Sequence, residues 1–166
     1  MTAAATGIFV RDARKEDLEA IVAFNLGLSR ETEGKTLDRA VLLDGVRAAL
    51  DDPARLRYWV AEAMESGQVI GQAAITFEWS DWRNGWIWWF QSVYVHADAR
   101  NRGVFRALHS TIRNAALEAG DVVGLRLYVE HANDRAQKTY HALGMTPAGY
   151  HVFEEIWSHR FGGKKT

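Results

Sequence analysis

The stretch Trp86–Val95 constrains this chain most. It carries no charged side chain, as expected of an interior strand covered on both faces. His96–Gly103 follows, polar, with Arg100, Arg102 and Gly103. Phe105, Leu108, His109, Ile112, Ala115, Ala116 and Ala119 then share one helical face, closed by Gly120. Val122–Glu130 reads as the next strand. A strand, a crossover helix and a second strand make a parallel pair, which places the chain in the α/β class.

The flanking segments extend that unit. Ile8–Arg11 is a short apolar start. From Lys15 the pattern is helical, with Leu18, Ile21, Val22 and Leu28 on one face and an end near Gly27–Arg30. Glu31–Lys35 reads as a polar connection. Thr36 or Asp38 can cap a second helix running to about Leu50, stopped by Asp51-Asp52-Pro53. Leu56–Met64 and Val69–Trp79 read as strands, and Asn84-Gly85 signals a hairpin before Trp86. Asn133–Leu143 reads as a helix with Gly144 behind it, and Gly149–Trp157 as a last strand. The expected order is β-α-α-β-β-β-α-β-α-β, one mixed central sheet in a single domain over residues 1–166, with frayed ends at 1–6 and 162–166.

Composition narrows the function. Twenty basic residues against twenty-one acidic leave a net charge of −1, so no bulk field draws nucleic acid or an anionic membrane. Cysteine is absent, which excludes disulfide scaffolds, thiol catalysis and zinc-thiolate sites. No His or carboxylate cluster has metal-ligand spacing. Neither a leader-like start nor a run of about 18 apolar residues is present, so a cytoplasmic protein without a membrane span is expected.

The loop before the crossover helix is the chemical feature. Unpaired N–H groups at a helix start and the helix dipole favour an anion. Arg100, Arg102 and Arg106 surround that end, and Gly103 permits close approach. The ligand implied carries phosphates. No Gly-x-x-x-x-Gly-Lys-Ser/Thr string and no Gly-x-Gly-x-x-Gly after the first strand is present. Solvated surface arginines are the alternative reading.

Gln91-Ser-Val-Tyr-Val-His-Ala-Asp-Ala-Arg-Asn-Arg-Gly-Val-Phe-Arg106, with Tyr128-Val-Glu-His-Ala-Asn133 and Ala136-Gln-Lys-Thr-Tyr140-His-Ala-Leu-Gly-Met145, resembles the GCN5-related N-acetyltransferases (GNAT). The resemblance spans nearly the whole chain and implies acetyl-CoA as cosubstrate, with no metal. Under it, Arg100, Asn101, Arg102, Gly103, Val104, Phe105 and Arg106 form the turn whose backbone N–H groups hold the pyrophosphate. The backbone of Val93, Tyr94 and Val95 pairs with the pantetheine arm and polarises the thioester carbonyl. Asn133 contacts the same arm, with Ala136 in the cofactor-binding set. Tyr140 is the residue that protonates the departing thiolate. Phe105 departs from the pattern, which has a small residue there. The helical period places its ring on the buried face with Leu108 and Ile112.

In such a transfer the amine must be neutral before it attacks, the oxyanion needs oriented N–H donors, and the sulfur needs a proton as it leaves. Glu78, Asp81, His96 and Glu130 are candidates for the base, each also readable as a surface or strand-end residue. His131 and His141 read as surface histidines, and a water chain could replace a side-chain base.

The acceptor side is less legible. The segment Trp79–Gly85 before the strand is similar in layout to the diamine and polyamine acetyltransferase branch, which suggests a homodimer. That branch has two adjacent acidic residues where this chain has Gln91 and Ser92, so a polycation loses its Coulomb partners. Seven tryptophans are present, five of them between Trp79 and Trp89. They are either packing or subunit contacts, or an aromatic wall for an ammonium. Trp79 and Trp82, near the hairpin tip, are the candidates for the wall, and Glu31, with Glu33, for negative charge. The expected function is acetyl transfer to a small primary amine or amino-acid-like acceptor by direct attack in a ternary complex. The alternatives are a catalytically silent CoA-binding module on the same fold, or a protein or peptide N-acetyltransferase.

Overall fold

The computed structural model describes residues 7–157. The chain divides into two compact units, Met1–Tyr128 and Val129–Thr166. The first holds β1 (Ile8–Asp12), α1 (Leu18–Glu33), α2 (Arg39–Asp51), β2 (Arg57–Ala63), β3 (Val69–Ser80), β4 (Gly85–Val95), α3 (Val104–Glu118) and β5 (Val122–Leu127). Short 3-10 turns at Lys15–Asp17 and Ala97–Ala99 precede α1 and α3. The second holds α4 (Asp134–Ala142).

Five strands form one sheet in the order β1-β2-β3-β4-β5. Neighbours are antiparallel except β4 and β5, the parallel pair that α3 connects. Parallel neighbours need such a crossover. Leu108 and Ile112 of α3 are fully buried beneath Trp59, Ala73, Ile75, Trp88 and Phe90 on one sheet face. Ile21 and Val22 of α1 and Val46 of α2 are buried on the other, over Tyr58, Val60 and Ala74. Each such side chain contributes roughly 1.5–3 kcal/mol by leaving water. Arg11, near the end of β1, ties that strand to the turn before α1 and to β2, donating to both carboxylate oxygens of Asp17 at 2.7 and 3.0 Å and to Glu62. Burial pushes the Asp17 carboxyl up. The hydrogen bonds from Arg11 and the Arg14 N–H outweigh it and hold the group below the usual range.

Local chemistry explains most boundaries. Asp38 caps α2 by accepting from the Ala40 and Val41 N–H groups. Asn84, with φ of 47°, closes the β3–β4 hairpin. The first helix runs further than its apolar face suggests, through Glu31–Glu33 to Gly34 in the left-handed region. Glu31 therefore stands on the last turn of a helix and not in a loop. Conversely, the expected strand Gly149–Trp157 does not form. Tyr150, Val152, Phe153 and Ile156 are exposed there, and a β segment without a ladder partner has nothing to satisfy its backbone. The ends 1–6 and 162–166, read as frayed, lie outside the described residues. Among the described residues no helix is long and apolar enough to cross a membrane.

Candidate functional site

Strand β4 is irregular at one point. Ala74 pairs with Ser92, but Ile75 pairs with Phe90, so Gln91 is an extra residue in β4. Such a bulge bends its strand. The ladder to β5 covers only Trp86–Phe90. Past the bulge, Ser92–Val95 still pair with β3 on one side. Among the described residues no strand pairs with their other edge, where alternate N–H and C=O groups project. Val93 and Val95 pack into the α3 side of the core, so what they leave at that edge is backbone.

The chain then turns into α3. Asn101 has φ of 61° and Gly103 φ of 83°. The left-handed region costs a residue with a Cβ about 1–2 kcal/mol, and glycine nearly nothing. Gly103 is the N-cap of α3, and no side chain caps it. The first-turn N–H groups of a helix have no partner within it. Val104 is buried in the core, Phe105 is half-buried, and Arg102 and Arg106 are exposed. The Phe105 ring leans on His109, one turn along, with centroids 6.1 Å apart. It is turned along the helix and partly inward, and the deepest side chain at this end is Val104.

The Arg100 side chain is hydrogen-bonded within the chain. Its Nη2 donates to Glu31 at 2.6 Å and its Nε to the Val95 carbonyl at 3.0 Å. The Tyr94 hydroxyl donates to the other oxygen of Glu31 at 2.8 Å. Those bonds, from Tyr94 and then Arg100, hold the Glu31 carboxyl below its usual range. Burial, then the hydrogen bond to Glu31, pushes the Tyr94 hydroxyl up. Gly27 lets Tyr94 approach α1, since a Cβ there would lie 2.9 Å from the tyrosine oxygen. Arg100 and Glu31, expected as a phosphate cation and an acceptor-side charge, thus neutralise each other across 69 residues of chain.

The register separates the tryptophans. Trp79 pairs with Trp86, seven residues before Val93, roughly 24 Å away at about 3.4 Å per residue. Trp82 lies in the turn beyond it, exposed. Both stand at the hairpin end, away from the open edge of β4, because antiparallel pairing puts a hairpin's tip opposite its strand ends. A cleft of about 840 Å³, lined by Tyr58, Phe77, Trp86 and Trp88, also lies at that end. Trp88 is core, packed on Trp59 and Phe77. Trp89 instead faces an acid and a base that sequence patterning did not single out together. Its Nε1 donates to Glu78 at 2.8 Å, Arg126 donates to the same carboxylate at 3.0 Å, and the ring lies 4.6 Å from that of Tyr128. The signal was present in Gly124-Leu125-Arg126-Leu127, where one charge interrupts an apolar strand.

The remaining base candidates are placed as follows. Asp81 accepts from the Trp82 N–H in the hairpin turn. His96 Nδ1 accepts from the Asp98 N–H at 3.4 Å at the 3-10 turn. Gln91 donates to Thr76 Oγ1 at 2.6 Å. In the second unit, Glu130, His131 and His141 are exposed. Asn133 is the N-cap of α4, its Oδ1 accepting from the Ala136 N–H at 3.0 Å. Tyr140 is half-buried on α4, and burial raises its hydroxyl pKa.

Comparison with known proteins agrees with this layout. Residues 18–145 match the family model described as the acetyltransferase (GNAT) family. A possible acetyltransferase from Clostridium difficile 630 is 42% identical, with a TM-score of 0.83 over 91% of this chain and 98% of its own. The ribosomal-protein-alanine N-acetyltransferase of Brucella melitensis biovar Abortus 2308 shares the fold at 15% identity, with a TM-score of 0.70 over 90% of this chain and 99% of its own. So does AAC(6')-Iy, solved with the bisubstrate analogue CoA-S-monomethyl-acetylneamine, at 19% identity, with a TM-score of 0.73 over 92% of this chain and 99% of its own. Among curated proteins none matches. With three-quarters of its length matched by one family model, and a bulged strand running into an uncapped helix start, the chain belongs to the GNAT family of acetyltransferases.

Proposed function

We propose that the protein transfers an acetyl group from acetyl-CoA to the amine of a small acceptor, by direct attack within a ternary complex. The observation that carries this reading is the open backbone edge of β4 after the Gln91 bulge, leading within one chain segment into the uncapped start of α3. A ligand with a peptide-like arm and a pyrophosphate needs that combination: an unpaired strand edge for the arm and free N–H groups with a helix dipole for the phosphates.

Acetyl-CoA supplies the activated acyl thioester. The chain supplies the rest. Backbone groups of Val93, Tyr94 and Val95 orient the arm. The N–H groups from Arg102 to Arg106 take the pyrophosphate, with the Arg102 and Arg106 side chains adding positive potential. Arg100 acts as a strut that holds the turn against α1, through Glu31 and the Val95 carbonyl. Asn133 fixes the start of α4 and keeps its amide nitrogen for the arm. Tyr140 keeps its Oη proton at neutral pH because burial raises its pKa, which is the form a proton donor needs. No cysteine is available for an acetylated enzyme, so the acceptor attacks directly.

Release of free CoA with a panel of amines tests the activity. Tyr140→Phe is expected to lower kcat about 10²-fold or more, in the range of a lost general acid, with acetyl-CoA affinity by calorimetry nearly unchanged. Unchanged turnover would remove Tyr140 from the role. The silent-module reading has one observation in its favour: both oxygens of Glu78, the carboxylate beside β4, are already hydrogen-bonded. Acetyl-CoA binding without turnover on any amine would establish it.

A further inference from the structure

The sheet face opposite α3 carries a second built cluster. Thr76 and Glu78 on β3, Trp89 and Gln91 on β4, and Arg126 and Tyr128 at the end of β5 are joined across it. We propose that this cluster is the subsite for a carboxylate on the acceptor, so that the substrate is an amino acid with an apolar or aromatic side chain. This rests on the acetyl-transfer reading for the role of the site, not for its ability to bind.

The hydrogen bonds set the polarity. Glu78 accepts from Trp89 Nε1 on one oxygen and from Arg126 Nη1 on the other. Its carboxylate is therefore committed to holding the guanidinium in place, over the indole at 5.5 Å. A guanidinium has five N–H donors in a planar fork, and Glu78 takes one. The remaining donors suit a second carboxylate, which accepts from such a fork in parallel. An ammonium fares worse here. It would meet a guanidinium, and the charge of the acid beside it is already paired with that guanidinium. Glu31, expected with Glu33 to supply negative charge on the acceptor side, is tied to Tyr94 and Arg100. Polyamines are thereby disfavoured by the charges as well as by Gln91 and Ser92 on the strand.

The aromatic pair sets the other half of the preference. Tyr128 is 52% exposed and its ring lies against Trp89. One face of an immobilised ring pair, beside a guanidinium, suits a flat or apolar side chain. The cluster also lies near the reacting end. Trp89 stands two residues before Gln91 on β4, roughly 7 Å along the strand, and Gln91 is where the open edge begins. Glu78 is a positioning residue in this arrangement and Arg126 the binding residue.

Equilibrium binding separates the subsite from the chemistry. N-acetylphenylalanine and its uncharged amide are titrated into the full chain, following the indole Nε1 resonance of Trp89 by NMR. The acid is expected to shift that resonance and to bind about tenfold or more tighter than the amide, as a charge-assisted hydrogen bond would give. Arg126→Lys keeps the charge but not the fork and is expected to lose most of that preference. Glu78→Gln is expected to weaken it in part while leaving the acetyl-CoA Kd unchanged, which a merely structural loss would not. In turnover, phenylalanine should exceed phenylalaninamide in kcat/KM, with the difference in KM. Equal binding of acid and amide, binding of neither, or an Arg126→Lys protein that discriminates as well as the parent overturns the proposal. Failure to bind acetyl-CoA overturns the acetyl-transfer reading instead, and the acid-over-amide preference still decides the subsite.

Discussion

At the scale of single residues, burial decides what a titratable group does. His109 is 4% exposed, sits against the Phe90 ring at 5.9 Å, and has no partner for Nε2 among the described residues. Desolvation, then the charge of Arg113, lowers its pKa. The unfolded chain therefore binds a proton near pH 6.5 that the folded chain refuses. Stability rises with pH wherever the unfolded state holds more protons, so this residue makes the fold weaken as pH falls below about 6.5. His109→Leu is expected to flatten that decline, read as the urea midpoint between about pH 5 and 7. The helical spacing placed His109 on the buried face, which was legible. Its missing hydrogen bond was not, because partners come from elsewhere in the fold. Asn133 shows the same limit. Its match to a family motif was visible, whereas its work as the cap of α4 is a matter of where Oδ1 points.

At the scale of elements, one residue more or less changes what a strand or helix offers. The uncharged run Trp86–Val95 was readable as an interior strand, and pairing on both edges bears that out for Trp86–Phe90. The bulge at Gln91 was not readable, since no residue type marks it. It arises from how β3 and β4 fit together. Yet it determines that Ser92–Val95 leave β5 and keep an open edge. Helix α1 likewise runs one turn past its apolar stripe, and that turn carries Glu31 to Tyr94 and Arg100. Glu31→Gln breaks an ion pair that is exposed and screened, so the stability loss is expected to stay within about 1 kcal/mol. Acetyl-CoA binding is expected to weaken about two- to fivefold, because the same energy is lost from the turn it braces. Calorimetry on the variant checks this. The folded-state pKa of Glu31 is depressed. The pair therefore stabilises above the ordinary carboxylate value of 4.5 and is lost as pH falls below it.

At the scale of the whole molecule, stability rests on the layer between α3 and the sheet. Leu108 is fully buried among residues from several strands. Leu108→Ala is expected to cost about 3 kcal/mol, seen as a lower urea midpoint with an unchanged slope. The tryptophan cluster belongs to this scale too. In the sequence it is one feature; in the structure it is three. Trp88 is core, Trp79, Trp82 and Trp86 stand at the hairpin end, and Trp89 faces Glu78, Arg126 and Tyr128. The strand period of two sends alternate residues to opposite faces, so adjacent tryptophans could never share one role. By itself the sequence determined the α/β class, the crossover between two parallel strands and the glycine at the start of α3, because periodicity and glycine placement are local. Only the tertiary structure decided the rest. That Arg100 meets Glu31, which tryptophan meets Arg126, and where β4 parts from β5 depend on groups tens of residues apart, brought together by pairing register and packing.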